Sequence, residues 1–177
     1  ATPVLLAGPD VLPSLSSGAV DAAEWICPAA DLGAGLYQAA KYYYGPGWHE
    51  PSTLLDLSID LASWEKLDSS TQGLVDDMTK SFNMTVFSRF QAANGPALQK
   101  LLNEHNVQLK KFPDEVLIAL GNAAGEVVSE RGSINSETKA ICNHLLSFRK
   151  NIMDWSTKGE SEFARIRNLS FKYPDSV

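Results

Sequence analysis

Short apolar runs set between longer segments with apolar residues every three or four positions predict a mixture of strands and helices. Five strands are predicted where apolar and polar residues alternate or where apolar and aromatic residues cluster, at 2–6, 19–26, 42–44, 52–60 and 107–111. Strands that alternate with helices predict an α/β fold, in which ligands bind at the carboxyl ends of the strands.

Two short helices are predicted between these strands, over 10–17 and 31–41. Asp10 and Asp31 are the expected caps of their first turns, because a short carboxylate accepts a hydrogen bond from a free backbone N–H. Gly18 is expected to end the first helix, since glycine adopts the left-handed conformation that closes many helices.

The longest predicted helix opens at a capping-box spacing from Ser69 to Gln72. Gly95-Pro96 is expected to break or kink it, because proline removes a helical hydrogen bond. A later helix is predicted from Pro113 to Gly132. An apolar stripe on the long helix is expected to lie in the core: Leu74, Met78, Phe82, Val86 and Phe90.

A heptad-like spacing marks the last third of the chain. Its positions lie three and four residues apart over nearly three repeats: Thr138, Ile141, Leu145, Phe148, Ile152 and Trp155. So short a seam fits either a coiled coil between two chains or a helix packed on its own domain.

Composition excludes some classes of protein. The 177 residues are 44% hydrophobic and 20% charged, enough for one sizeable core. A net charge of −6 argues against a nucleic-acid partner. The chain shows neither a signal peptide nor an apolar run long enough to span a bilayer.

Cys27 and Cys142 are too few for a disulfide framework. We therefore expect both to be buried apolar fillers, with a single disulfide bridge between them as the alternative.

Candidate metal ligands, all of them oxygen atoms, lie in two segments of the chain. Glu24 and Trp25 would point to opposite faces of a strand, but the Trp25 backbone carbonyl can join the Glu24 carboxylate. Glu50 offers a second carboxylate, and Pro51 favours an extended backbone there. Hard cations such as Na⁺ or Ca²⁺ accept such oxygen ligands. The predicted metal set is therefore Glu24, Trp25 and Glu50.

Three motifs resemble, in the same order, one family of proteins. They are residues 18–25 (GAVDAAEW), 41–51 (KYYYGPGWHEP) and 112–117 (FPDEVL). The chain resembles the C-terminal half of a periplasmic solute-binding protein of a TRAP-type transporter, in the 2-oxo acid, lactate and mannitol–chloroaromatic branch. The resemblance runs from residue 1 to about residue 154.

This resemblance implies a periplasmic-binding-protein-like lobe of type II, within the α/β class, that is helix-rich and has a long helix and a C-terminal helical extension. Three parts are expected: a ligand-binding lobe portion with a crossing strand (1–60), the long helix with remaining first-lobe elements (61–132) and the helical extension (133–177). Family members are about twice as long, and their other half carries an arginine that pairs with the substrate carboxylate.

The implied function is capture of a small carboxylate, a 2-oxo or 2-hydroxy acid, through a bound Na⁺ or Ca²⁺ in the periplasm, and delivery to the membrane subunits of the transporter. Two carboxylates beside an anionic ligand repel it unless a cation lies between them. Trp25 and Trp48 would be apolar walls of the site, and His49 a polar contact to the ligand. Long C-terminal helices pair some family members, which favours a homodimer.

Two alternatives to the binding function stay open at this point. The chain could be a non-binding assembly module held together by its helices. A weaker alternative is a metal-dependent hydrolase that uses Glu24, His49 and Glu50, although no nucleophile motif accompanies these residues. We expect a protein that is not an enzyme.

Overall fold

The computed structural model describes residues 2–48, 50–51 and 55–172. The chain forms two compact units, Ala1–Phe112 (unit 1) and Pro113–Val177 (unit 2). The three-part division at residues 60 and 132 stays a prediction.

Unit 1 begins with helix α1, Gly8–Ser17. It ends at Gly18, which is left-handed with φ 75° and donates its N–H to the Leu15 carbonyl, so the predicted helix end is confirmed. The predicted cap is wrong. Ala7 occupies the cap position, and Asp10 lies in the first turn, where its charge faces the positive end of the helix.

Helix α2, Pro28–Gly33, and a short 3₁₀ helix, Leu36–Gln38, replace the single helix predicted over 31–41. Gly35 separates them with a left-handed φ of 72°. The prediction that Asp31 caps the start of a helix is wrong, because Asp31 lies inside α2 and Cys27 occupies the cap position. Pro28 begins the helix three residues earlier because its fixed φ suits a first helical turn.

The described residues form one parallel pair of strands, β1 (Tyr42–Gly45) and β2 (Gln108–Lys111). Tyr42 pairs with Gln108 and Gly45 with Lys111. Parallel strands need a long crossover connection, and helices α3 (Leu61–Trp64) and α4 (Ser69–Asn103) lie within it. Both strands were predicted from the sequence, and both are confirmed.

The other three predicted strands are wrong wherever the chain is described. Residues 2–6, 19–26 and 55–60 have no regular strand structure, and residues 52–54 lie outside the described part. A strand exists by hydrogen bonding to a neighbour. In the described ranges only β1 and β2 supply such a neighbour to each other.

Helix α4 is a single helix of 35 residues, so Gly95-Pro96 does not break it, and the kink that was the other expectation stays a prediction. One proline costs a helix one hydrogen bond but does not have to end it. The capping box at Ser69 is also wrong, because Asp68 caps the helix. Its carboxylate accepts the Thr71 N–H at 2.9 Å, and this hydrogen bond lowers the pKa of Asp68.

The core of unit 1 is small. Its buried apolar residues are Val11 on α1, Ala97 and Leu101 on α4, and Val107 before β2. The apolar stripe predicted to lie in the core is largely exposed: Leu74, Met78, Phe82 and Phe90. Spacing alone does not decide burial, because burial needs a second surface, and no described residue covers this stripe closely enough to bury it.

Unit 2 contains helices α5 (Asp114–Gly132), α6 (Ser136–Ser156) and α7 (Glu162–Arg167), with a π-helical turn, Thr157–Ser161, before α7. Helix α5 packs against α6. The heptad positions on α6 are exposed: Ile141, Leu145, Phe148, Ile152 and Trp155. Packing within its own domain therefore does not bury this seam.

The described residues also bear on the two cysteines and on possible membrane-spanning helices. Cys27 and Cys142 are free and only partly buried, so they are neither bridged nor full core fillers. Among the helices of the described ranges, none is long and apolar enough to cross a membrane.

Candidate functional site

The segment that carries Glu24 and Trp25 is held at its C-terminal end by the buried Asp31 side chain, which is 7% exposed. Asp31 Oδ1 accepts two backbone hydrogen bonds, from the N–H groups of Ile26 and Cys27, each at 3.2 Å. The carboxylate reaches back from the first turn of α2 to the residues before the helix, as a capping side chain does. The backbone just after Trp25 is thereby fixed.

Tyr43 links this loop to strand β1. Its hydroxyl donates to Asp31 Oδ2 at 2.5 Å. Burial is the larger cause, and this hydrogen bond the next, of a pKa of Tyr43 far above its ordinary value of 10.0. The phenol therefore keeps its proton and stays a donor. Asp31 therefore joins the 24–27 segment to the strand that leads into Trp48 and Glu50.

The Trp25 ring lies against the start of α1. A Cβ added to Gly8 would lie 2.9 Å from Trp25 Cη2, so only glycine accommodates the ring at this distance. The Trp25 side chain is partly buried as a result. Of the two predicted apolar walls, Trp25 therefore has a packed position within unit 1.

A third anchor fixes α2 on α4. The Asn94 side chain accepts the Ala29 N–H at 3.1 Å and so satisfies a backbone donor in the first turn of α2. Asn94 lies one turn before the buried Ala97. The helix that carries Asp31 is thus attached to the small core of unit 1.

The remaining predicted site residues that the structure describes lie at the surface. Glu24, Trp48 and Glu50 are exposed, and His49 lies outside the described residues. Because residues 19–26 form no strand, strand alternation does not decide where Glu24 and Trp25 point. The structure brings the 24–27 segment and β1 together through Asp31. The metal set Glu24, Trp25 and Glu50 and the ligand set Trp25, Trp48 and His49 stay predictions.

Within residues 2–48, 50–51 and 55–172, no three His, Cys, Asp or Glu side chains cluster as a metal site. The predicted set is of another kind, since it combines two carboxylates with one backbone carbonyl. Oxygen ligands of this type, completed by a ligand carboxylate, suit Na⁺ or Ca²⁺.

Sequence reasoning missed Asp31, Tyr43 and Asn94 as organising residues. Pro28 followed three residues later by an acid carried a signal, because Pro favours a first turn and a carboxylate there can reach back to the cap. No local signal marks Tyr43 among three tyrosines. None marks Asn94 either, whose partner is 65 residues away.

Comparison with known proteins identifies the family. Residues 1–133 match the profile of DctP, the bacterial extracellular solute-binding proteins of family 7. The chain belongs to this family. The resemblance inferred from the three motifs is thereby confirmed, and the family consists of transport solute-binding proteins rather than enzymes.

One relative is the monocarboxylate 2-oxoacid-binding periplasmic protein of a Nostoc species, 31% identical over 166 residues, which are 94% of this chain and 45% of the relative. A TRAP solute-binding protein from Bordetella bronchiseptica has a TM-score of 0.83 at 28% identity, over 93% of this chain and 49% of its own. Its crystals contain a mixed-occupancy dimer, with calcium and picolinate in one site and none in the other.

Two further crystal structures are of similar TRAP periplasmic proteins. The protein from Colwellia psychrerythraea, with calcium and pyruvate, has a TM-score of 0.84 at 28% identity. The protein from Pseudoalteromonas atlantica, with sodium and pyruvate, has a TM-score of 0.85 at 25% identity. Each match covers 96% of this chain and 51% of the other.

This chain therefore spans about half the length of these relatives. The fold class predicted from the sequence, a helix-rich lobe of a periplasmic binding protein, is confirmed by these structures.

Proposed function

We propose that this chain contributes the cation-binding part of a TRAP transporter solute-binding protein, which captures a 2-oxo or 2-hydroxy acid in the periplasm and delivers it to the membrane subunits. Family membership supports the solute-binding role. Calcium or sodium with pyruvate in two similar structures supports the ligand class and the cation. The observation that carries the proposal is the Asp31 bridge, which connects the segment of Glu24 and Trp25 to the strand leading to Glu50.

In the proposed site, the cation is held by the Glu24 carboxylate, the Trp25 carbonyl and the Glu50 carboxylate, and it receives the carboxylate of the ligand. The cation's task is electrostatic, because it offsets the repulsion between the two acids and the anion. Trp25 and Trp48 form apolar walls, and His49 contacts the ligand. The proposed ligands Glu24 and Glu50 are both exposed in this chain.

The test is a Ca²⁺ titration of the 177-residue chain, monitored through the NMR signals of the backbone around Glu24. Glu24→Gln and Glu50→Gln each remove one anionic ligand, and we expect either change to raise the Ca²⁺ dissociation constant at least about tenfold, as even outer-shell changes do. Glu65→Gln, an exposed acid beside α3, is the matched control and should bind like the parent. Equal affinities for all four proteins would exclude the proposed ligand set.

A second candidate role, assembly of two copies through α6, is favoured by the exposed seam, where Ile141 is 68% exposed. We propose a homodimer formed by this face. Light scattering over a dilution series should show a dimer at high concentration, and its melting temperature should rise with protein concentration. Phe148→Glu in the seam should give a monomer, whereas Ser147→Glu, one residue off the seam, should not. A parent monomer at every concentration would contradict this role.

The hydrolase alternative has no support in the family. We propose that the protein does not catalyse a reaction, and that Glu24, His49 and Glu50 serve binding alone. Turnover of an ester or amide that Glu50→Gln abolishes would contradict this.

A further inference from the structure

Asp31 is a charged side chain buried in a small protein core, where an unpaired charge is costly. Its three hydrogen bonds offset this cost: two come from consecutive backbone N–H groups and one from a tyrosine on another element. Both oxygens are engaged, Oδ1 by the loop and Oδ2 by Tyr43. The carboxylate is therefore held in one orientation.

The hydrogen bond to Ile26 has a geometric consequence for Trp25. The Ile26 N–H and the Trp25 carbonyl belong to the same peptide unit, which is planar, so in a trans peptide the two groups point in opposite directions. The Gly45-Pro46 bond is the cis bond of the described chain, so the 25–26 peptide is trans. Because the Ile26 N–H points at Asp31, the Trp25 carbonyl points away from Asp31.

We propose that Asp31, held by Tyr43, is a positioning residue that aims the Trp25 carbonyl at the cation. This role rests on the proposed function, in which that carbonyl is a ligand. Asp31 does not touch the cation; it acts by fixing the direction of the 25–26 peptide.

The hydrogen bond from Tyr43 attaches the Asp31 carboxylate to a strand rather than to another part of the loop. Strand β1 is fixed by its pairing with β2, where Tyr43 lies in register with Leu109. The Trp25 carbonyl thus takes its direction from the sheet. Partners of this kind typically change metal affinity about 10–100-fold when they are removed.

Four variants of the 177-residue chain test the role. Asp31→Ala removes the bridge, and Tyr43→Phe removes one of its bonds. Asp31→Asn keeps an oxygen for the two backbone N–H groups and an amide that can donate to the Tyr43 hydroxyl. Tyr42→Phe, on the opposite face of the same strand, is the matched control.

Three quantities are measured: the Ca²⁺ dissociation constant, the change of the Trp25 carbonyl ¹³C shift on adding Ca²⁺, and hydrogen exchange of the Ile26 amide. We expect Asp31→Ala to accelerate this exchange, weaken Ca²⁺ binding about 10–100-fold and abolish the carbonyl shift. Tyr43→Phe should have the same effects to a smaller extent. Asp31→Asn should retain most of the affinity and the carbonyl shift, and Tyr42→Phe should match the parent.

Two results would overturn the positioning role while the parent still binds Ca²⁺. One is faster Ile26 exchange in Asp31→Ala with unchanged affinity. The other is an Asp31→Asn variant as weak as Asp31→Ala, which would assign the effect to charge rather than direction. If the parent itself shows no Ca²⁺-dependent shift, the proposed function fails and the positioning role fails with it. Exchange of the Leu101 amide reports whether each variant is folded. If Asp31→Ala does not fold, the Ca²⁺ affinity and carbonyl shift of Tyr43→Phe test the positioning role instead.

Discussion

The 177-residue chain on its own is expected to bind pyruvate or lactate at least about 100-fold more weakly than a protein in which it is joined to an N-terminal half of the family. The chain keeps the proposed cation ligands but lacks the arginine that the family resemblance places in the other half. Hydrogen bonds to charged groups contribute about 1.5–3 kcal/mol each, which is about 10–150-fold in affinity. Without a second lobe to close over the ligand, water also weakens the remaining contacts.

Calorimetry of both proteins, with and without Ca²⁺, measures this difference. The joined protein should bind pyruvate tightly only when Ca²⁺ or Na⁺ is present, and Glu24→Ala should abolish that binding. Glu65→Ala serves as the control for loss of one acidic residue outside the site. Tight binding by the 177-residue chain alone would show that the ligand site lies elsewhere in the chain.

Local signals in the sequence predicted those parts of the fold that local forces decide. Gly18 ends α1 because a left-handed residue closes a helix wherever the rest of the chain goes. The run at Tyr42 forms β1, and the segment ending at Lys111 forms β2, since each has a partner within this chain. The strands predicted at 2–6 and 19–26 failed because pairing depends on a neighbour, which residue patterns inside the segment do not reveal.

The candidate site follows the same division. The carboxylates and the carbonyl were recognisable as ligand types from the motifs that contain Glu24 and Glu50. Asp31, which we propose positions one of these ligands, was assigned a different task, since it was expected to cap a helix of its own. Asp31 contacts Tyr43, 12 residues away, and its helix is held by the hydrogen bond from Ala29 to Asn94, which lie 65 residues apart, so only the folded chain reveals these contacts. Contacts between residues so far apart in the chain produce no periodic pattern in the sequence.

Leu101→Ala is expected to lower the free energy of unfolding of unit 1 by about 2–5 kcal/mol. Leu101 is 3% exposed and belongs to the small buried core, so truncation removes apolar contacts and leaves a cavity. Leu74→Ala is the matched control, because Leu74 lies on the same helix but is 60% exposed. The change in helix propensity is the same for both substitutions and cancels in the comparison. Urea unfolding measures both values, and the control should change by no more than about 0.5 kcal/mol.

Repeating the pair in the joined protein separates two explanations of the exposed stripe on α4. If the other half of the protein covers the stripe, Leu74→Ala should become costly there, approaching the effect of Leu101→Ala, because Leu74 would then be buried. If the stripe stays exposed, Leu74→Ala should remain nearly neutral in both proteins. Equal losses for Leu74→Ala and Leu101→Ala in the 177-residue chain would instead contradict the assignment of its core, since a side chain in water has little burial energy to lose.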